Sequence, residues 1–412
     1  MHEPLSDVAA RRPRILVFNQ YYWPGVEATA NLLSDLCSAL ATDFEITVVT
    51  GVLYDVPAPP GRTRHAGVEI VRVRSTAHPR RRLSRRALNY ATYLAQSLRV
   101  GLLGPRPDVV LCMTDPPFIP DIGLLVARRF RVPLVVISQD VFPEIAVELR
   151  RLENPLLIGS IRALVRFYLR RADRIVAIGE TMRVRLQEKG ARPERITVIP
   201  NWVDAEAIQP APRDNDWAAA QGLAGKFVVM HSGNVGHAQN LDALVRATTF
   251  LRDLDDLVVA VVGAGARHAD LVALRDLLEA DKVTFLPYQP REVLSQSLST
   301  ANIHVVGLAK GLAGYVVPSR LHGILAAGRP VIVAAEPESE TARIVEYVGC
   351  GVVVAPGRPD LLARAIREAY DGKLDLEAMG QRGREYVTHE ADRSVAVARY
   401  RNLLRELAGT PT

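Results

Sequence analysis

Residues 315 to 335, YVVPSRLHGILAAGRPVIVAA, set a hydroxyl and a guanidinium, Ser319 and Arg320, at the mouth of a helical run of small apolar residues. A helix start with free N–H groups, a capping serine and an arginine form a donor set suited to an anion. The plainer alternative is a Pro-Ser cap beside a solvated arginine. Lys310, in GLAKGLAGYVV, follows a β-branched run and is either a second charge for the same anion or a surface lysine in a Gly-rich loop. In HSGNVGHAQNL, Gly233 and Gly236 follow another such run and allow backbone amides to approach a ligand. In the first half of the chain, Asp140 in VVISQDVFPE and Asp115 in CMTDPPF also close β-branched runs. Each is a candidate acid or base, and each equally suits a local cap or turn.

Lys310, Gly233, Gly236, Asp140 and Asp115 share one feature: each lies just after a predicted strand. RPRILVF, FEITVVTG, PDVVLCMTD, VPLVVISQD and ADRIVAIGE read as short buried strands separated by helical patterns such as TANLLSDLCSALA. The rhythm restarts after residue 224 with KFVVMHSG, LVVAVVGAG, KVTFLPY, ANIHVVGL, RPVIVAAE and CGVVVAP. Two α/β domains with Rossmann-like parallel sheets follow, facing across a cleft. The Pro- and Asn-rich stretch from about 199 to 216 reads as the linker. The expected division is 1–203, 204–385 and a C-terminal helical segment, 386–412, that packs back on the first domain. Open parallel sheets bind ligands beyond the carboxyl ends of their strands, so the cleft is the predicted site.

The 412 residues exceed one ordinary core, and 48% hydrophobic content with regular Gly and Pro punctuation indicates a globular chain. Cys37, Cys112 and Cys350 are odd in number and far apart, which supports neither a disulfide framework nor a zinc cluster. The N-terminal apolar run is too short for a secretory leader, and no apolar stretch approaches the roughly 20 residues of a membrane span. Net charge is +6, with eleven arginines between Arg62 and Arg106 and Glu69 as the sole acid among them. No reading motif accompanies that basic stretch, so nucleic acid is not an expected partner.

Taken in order, RADRIVAIGETMRVRLQEKG, ITVIPNWVD, HSGNVGHAQNLDALVRA, VPSRLHGILAAGRPVIVAAEPESETARIVEYVGCGVVVAPG and LARAIREAY resemble the family 4 glycosyltransferases of the GT-B fold. The nearest likeness is to the bacterial branch that builds surface polysaccharides on lipid carriers. The resemblance implies a retaining, metal-independent transfer of a hexose or N-acetylhexosamine from a nucleotide-diphosphate sugar, UDP-sugar favoured, with no cofactor. The donor would bind the second domain and a saccharide acceptor, polyprenyl-linked in this branch, the first.

Within that resemblance, Arg320, Ser319 and Lys310 would meet the diphosphate, together with Gly233, Asn234 and Gly236. The family's usual Arg and Lys in this loop are replaced by Asn234 and either Gln239 or Asn240. Its two glutamates would fall at Tyr315 and Gly323, so the ribose contact is reassigned to Glu340, for which a solvated loop carboxylate is the alternative. Tyr288 and Gln289 would pair with the base through their backbone. Asp140 is the candidate for acceptor or sugar contact and general base. Tyr22, Trp23, Gly25, Glu27 and Asp115 would line the acceptor side, the rings either stacking on a sugar or covering the sheet end. DLDDL at 253–257 imitates a metal motif but reads as a solvated loop entering a strand, and GAGARH lacks a full dinucleotide fingerprint.

Two stripes, Leu88, Ala91, Ala95, Leu98, Leu102 and Leu157, Ile161, Leu164, Tyr168, lie beside arginines and suit either the cytoplasmic face of a membrane, as peripheral contacts, or the core. A transferase with a soluble or secondary-metabolite acceptor and a non-catalytic sugar-nucleotide binder are the alternative functions.

Overall fold

The computed structural model describes residues 11–25, 27–54, 58–78 and 83–409, except for the side chains of Leu83, Ser84 and Arg86. Arg80, Arg81 and Arg82 of the basic stretch lie outside the described residues. The first sheet comprises β1 (Arg14–Phe18), β2 (Glu45–Thr50), β3 (Gly61–His65), β4 (Val68–Arg72), β5 (Val109–Met113), β6 (Leu134–Ser138), β7 (Arg174–Ala177) and β8 (Ile196–Val198). Its order is β3-β4-β2-β1-β5-β6-β7-β8. Every pair is parallel except the β3–β4 hairpin. The first domain's helices are α1 (Ala28–Leu40), α2 (Leu83–Leu103), α3 (Ile119–Phe130), α4 (Glu144–Glu148), α5 (Pro155–Leu169) and α6 (Glu180–Glu188).

The second sheet, β9 (Phe227–Ser232), β10 (Leu257–Val262), β11 (Val283–Leu286), β12 (Ile303–Gly307), β13 (Val331–Ala334) and β14 (Gly351–Val354), runs β11-β10-β9-β12-β13-β14, all parallel. Its helices are α7 (Asp216–Ala220), α8 (Asp242–Ala247), α9 (His268–Leu277), α10 (Leu294–Ser299), α11 (Arg320–Ala326), α12 (Glu340–Val348), α13 (Pro359–Tyr370) and α14 (Leu376–Glu390). The expectation of two Rossmann-like sheets is met.

Every residue of β5 and β6 is buried, as befits apolar strands covered on both faces. α2, α3 and α5 cover one face of the first sheet through Tyr93, Leu124, Ile161 and Val165. α1 covers the other face together with α15 (Arg393–Ala408), whose Val397, Tyr400 and Leu404 join that core. Each such side chain contributes ~1.5–3 kcal/mol. Asp43 accepts from Arg401 and Arg405 at 3.0 and 2.7 Å, fixing α15 further. The chain crosses between domains twice, side by side: Val203 N donates to Ala391 O at 3.1 Å, and Arg393 N to Val203 O at 2.9 Å.

The hairpin was not predicted, because GRTRH offers no apolar alternation; it is an exposed, charged edge strand. Nor is the basic stretch wholly superficial. Arg72 is buried and donates to Gly51 O and Trp23 O at 2.9 and 2.7 Å. The two stripes also divide: Ile161 and Tyr168 are core, whereas Leu88, Ala91, Ala95, Leu157 and Leu164 face outward. The DLDDL segment does lead into β10, with Asp253 paired to Arg367 at 2.7 Å.

Candidate active site

β9 is the point where the second sheet reverses its winding, with β10 on one side and β12 on the other. Loops leaving such neighbours diverge and open a crevice. The turn after β9 lies against the turn after β10 so closely that a Cβ on Gly263 would sit 2.0 Å from Gly233 O, and Gly263 has φ +140°. Gly233 N donates to Val262 O at 2.8 Å and Val235 N to Ala264 O at 2.9 Å, which holds the turn in place.

Arg320 comes to this turn from the start of α11. Its guanidinium carbon is 3.5 Å from where a Gly233 Cβ would stand, and one N–H donates to His231 Nε2 at 2.7 Å. A second N–H reaches Asn234 O at 3.5 Å. Among the described residues no carboxylate pairs with it. Burial pulls its pKa down to about 10, offset in part by the nearby Tyr288 phenol. A guanidinium has five N–H donors, so several remain for an anion in the crevice. His231 is buried, and burial and then the Arg320 charge push its pKa well below the ordinary imidazole value. The neutral ring donates Nδ1–H toward Val305 O, 3.3 Å away, and leaves Nε2 to accept from Arg320. His231 thus aims the arginine. The sequence reading did not single it out; its place at the end of a buried strand was the available signal.

Gly236 N donates to Gln239 Oε1 at 2.9 Å, so Gln239 braces the turn from within. Lys310 is exposed in the loop after β12. Tyr288 is 57% exposed. The Gln289 side chain is already engaged, accepting from Trp217 Nε1 at 2.8 Å and donating to Pro287 O at 2.8 Å.

Ser319 departs from expectation. Its backbone is already helical, at φ −65° and ψ −19°, and its hydroxyl makes no capping bond. A cap requires extended backbone to swing the side chain over the first amides. Glu340 departs further. Its Oε2 accepts from Thr181 N and Oγ1 at 2.8 and 2.9 Å, so it reaches the start of α6 in the other domain, not a ribose.

The first domain faces this crevice with the loop after β6. Val141 N donates to Tyr315 O at 2.9 Å, and Asp140 forms an antiparallel bridge with Val316. Asp140, exposed, therefore stands four residues from Arg320 along the partner strand segment. Asp115 Oδ2 accepts from Thr29 Oγ1 at 3.3 Å. Glu27 occupies the N-cap of α1 without a side-chain capping bond, and Gly25 N donates to Tyr22 O at 2.9 Å. Trp23 is partly exposed but stacks on His65 at 3.9 Å. Tyr22 is 1% exposed within the core under α1, so it is not an acceptor contact. The turn Tyr22-Trp23-Pro24 sends one ring inward and the other out.

Two family models match: the glycosyl transferase 4-like domain over residues 25–202 and glycosyl transferases group 1 over 214–386. The chain is a family 4 glycosyltransferase of the GT-B fold. This glycosyltransferase is 26% identical over 399 residues to WbjE of Pseudomonas aeruginosa, which is named as a glycosyltransferase, covering 96% of this chain and 98% of that one. It is 29% identical over 242 residues to WcaI of Escherichia coli, named for colanic acid biosynthesis, covering 58% of each. Among solved structures it resembles Anabaena HepE in complex with UDP, with TM-score 0.72 at 15% identity, covering 95% of the glycosyltransferase and all of HepE.

Proposed function

We propose that this glycosyltransferase moves a hexose or N-acetylhexosamine, with retention and without a metal, from a UDP-sugar to a lipid-linked saccharide of a cell-envelope polysaccharide. The observation that carries the donor reading is the partly buried Arg320 guanidinium, which has no carboxylate partner among the described residues and is aimed by His231 over the Gly233 turn. Charge accumulates on the departing diphosphate, and a fixed guanidinium in a low-dielectric crevice stabilises it without reorganisation. The donor complexes of HepE, titled with UDP and with UDP-glucose, support the same ligand class. Lys310, Asn234 and Gly236 would complete the diphosphate site, and Tyr288 with the Gln289 backbone the base site. Asp140 faces this point from the acceptor domain, 1–203, and would contact the acceptor hydroxyl; the donor domain spans 204–385.

The lipid acceptor is supported by the outer faces of α2, α3 and α5. Leu88, Leu103, Leu125, Leu156, Leu164 and Phe167 are exposed there. Neither α2 nor α5 contains a carboxylate. Such a face suits peripheral contact with an anionic leaflet, and among the described residues no helix is long and apolar enough to cross a membrane. The name of WcaI, given for colanic acid biosynthesis, supports the polysaccharide part of the reading.

The test is transfer from UDP-, GDP- and TDP-sugars to a polyprenyl-diphosphate-linked saccharide, with the product anomer read by NMR and the assay repeated in EDTA. A UDP-dependent, EDTA-insensitive, retained product is expected. Inversion, EDTA inactivation or an equal rate with a soluble acceptor would each refute the corresponding part.

A further inference from the structure

Behind the loop that leads to Arg320, a pocket of about 300 Å3 opens on the seam between the domains. Glu144 of α4, Arg162 and Arg166 of α5, and Arg185 and Lys189 at the end of α6 form three walls; Tyr315 of the second domain forms the fourth. Glu188 completes it, so four cations meet two carboxylates.

The acids are spoken for. Glu144 accepts from Lys189 Nζ at 2.5 Å and from Arg162 Nε at 3.1 Å, and Glu188 from Arg185 at 3.1 Å. Arg185 also lies 4.9 Å over the Tyr315 ring. Arg166 lines the pocket with no acceptor for its guanidinium among the described residues. The Lys189 side chain is only 12% exposed, so its charge is poorly screened by water. Four cations against two carboxylates leave a positive excess around an open volume, with Arg185 and Lys189 partly buried, and an anion supplies the counter-charge.

We infer that this seam pocket binds a phosphate-bearing ligand through Arg162, Arg166, Arg185 and Lys189, at a place separate from the donor crevice. The forked guanidinium groups match phosphate oxygens two at a time. The volume is at the small end for ligand sites and suits a phosphate or diphosphate head more than a whole sugar nucleotide. Separation from the donor crevice follows from direction: Tyr315 packs toward the first domain's core, whereas Arg320 turns to His231 at the end of β9. Because the walls come from both domains, and Val141 bonds Tyr315 across the seam, a bound phosphate favours this closed arrangement. The phosphate has two sources: a lipid head group, since the other flank of α5 exposes Leu156, Leu164 and Phe167, or a free diphosphate.

The experiment is calorimetric titration of the full chain with inorganic pyrophosphate at low ionic strength, with UDP already saturating the donor crevice. One further site is expected in the wild type. Arg166→Ala, whose exposed side chain is not needed for folding, should weaken it roughly 10- to 100-fold, as for loss of a hydrogen bond to a charged group. Arg364→Ala, an exposed arginine on α13, should leave it unchanged. If UDP itself does not bind, Arg320→Ala replaces saturation, so the two readings fail separately. Sedimentation with phosphatidylcholine vesicles, with and without polyprenyl phosphate, distinguishes the sources. Arg166-dependent capture by the doped vesicles supports a lipid head group, and pyrophosphate binding alone supports a free one. No heat beyond UDP saturation together with no Arg166-dependent capture overturns the inference, as does pyrophosphate binding indifferent to both Arg166→Ala and Arg185→Ala.

Discussion

Replacing Arg320 by methionine should move stability and activity in opposite directions. The guanidinium is held in a partly buried site where burial pulls its pKa down to about 10. A fall of that size corresponds to ~3 kcal/mol of disfavour for the charged form, an upper bound on what the empty protein forgoes by keeping the charge there. One hydrogen bond, to His231 at 2.7 Å, offsets part of it. Methionine fills similar volume without the charge, so the melting temperature of the empty variant should hold or rise. Transfer should fall by roughly 10²–10³ in kcat/KM, the effect of removing one preorganised donor from a developing oxyanion. UDP affinity should fall with it, because the diphosphate is the group that compensates the charge. Arg320→Lys should lie between, keeping charge but losing the fork. Steady-state kinetics, UDP titration and thermal melts on the three proteins suffice. A variant that melts earlier and loses activity in proportion, with UDP affinity intact, would show that Arg320 is a structural residue and refute the reasoning.

Asp121, in the first turn of α3, has both carboxylate oxygens buried without hydrogen-bond partners among the described residues, and burial raises its pKa to about 7. The folded value exceeds the unfolded one, so this contribution is fully present below about pH 4 and lost as pH rises through about 7. Asp121→Asn should therefore flatten the decline in stability between about pH 4 and 7, by at most ~4 kcal/mol, in denaturant titrations; an unchanged slope counts against it. Glu340→Ala should cost ~1.5–3 kcal/mol and loosen domain closure in solution scattering, since it removes a charged acceptor for two Thr181 donors. It should leave UDP affinity nearly unchanged, and a tenfold loss would restore the ribose role. Gly263→Ala should destabilise by about 3 kcal/mol and weaken UDP binding, because its Cβ meets Gly233 O at 2.0 Å; unaltered melting would contradict that contact. Tyr22→Phe should leave transfer kinetics unchanged, as the ring is core; a raised acceptor KM would reopen its assignment to the acceptor site.

Much of the frame was legible. The apolar runs of β5, β6, β9, β10, β12 and β13 are buried on nearly every residue, so composition alone marked them. β3 was not legible, because an exposed edge strand is stabilised by its neighbour's backbone and needs no apolar pattern. The Gly233 turn and Pro318-Ser319-Arg320 could be found because a glycine after a strand and an arginine at a helix start carry chemical meaning locally. The Ser319 cap failed because capping depends on two dihedral angles that residue type does not specify.

By itself, the sequence determined the two wound sheets, the place of the crevice beyond their strand ends and the residue types available there, since strand period and turn chemistry act within a few residues. The tertiary structure alone decided which groups meet. His231 lies 89 residues from the arginine it aims, Glu340 159 residues from the threonine it holds, and Tyr22 and Trp23 part company only because one faces α1 and the other His65. Such pairings depend on how helices and sheets pack around a common core, and no local pattern encodes that geometry.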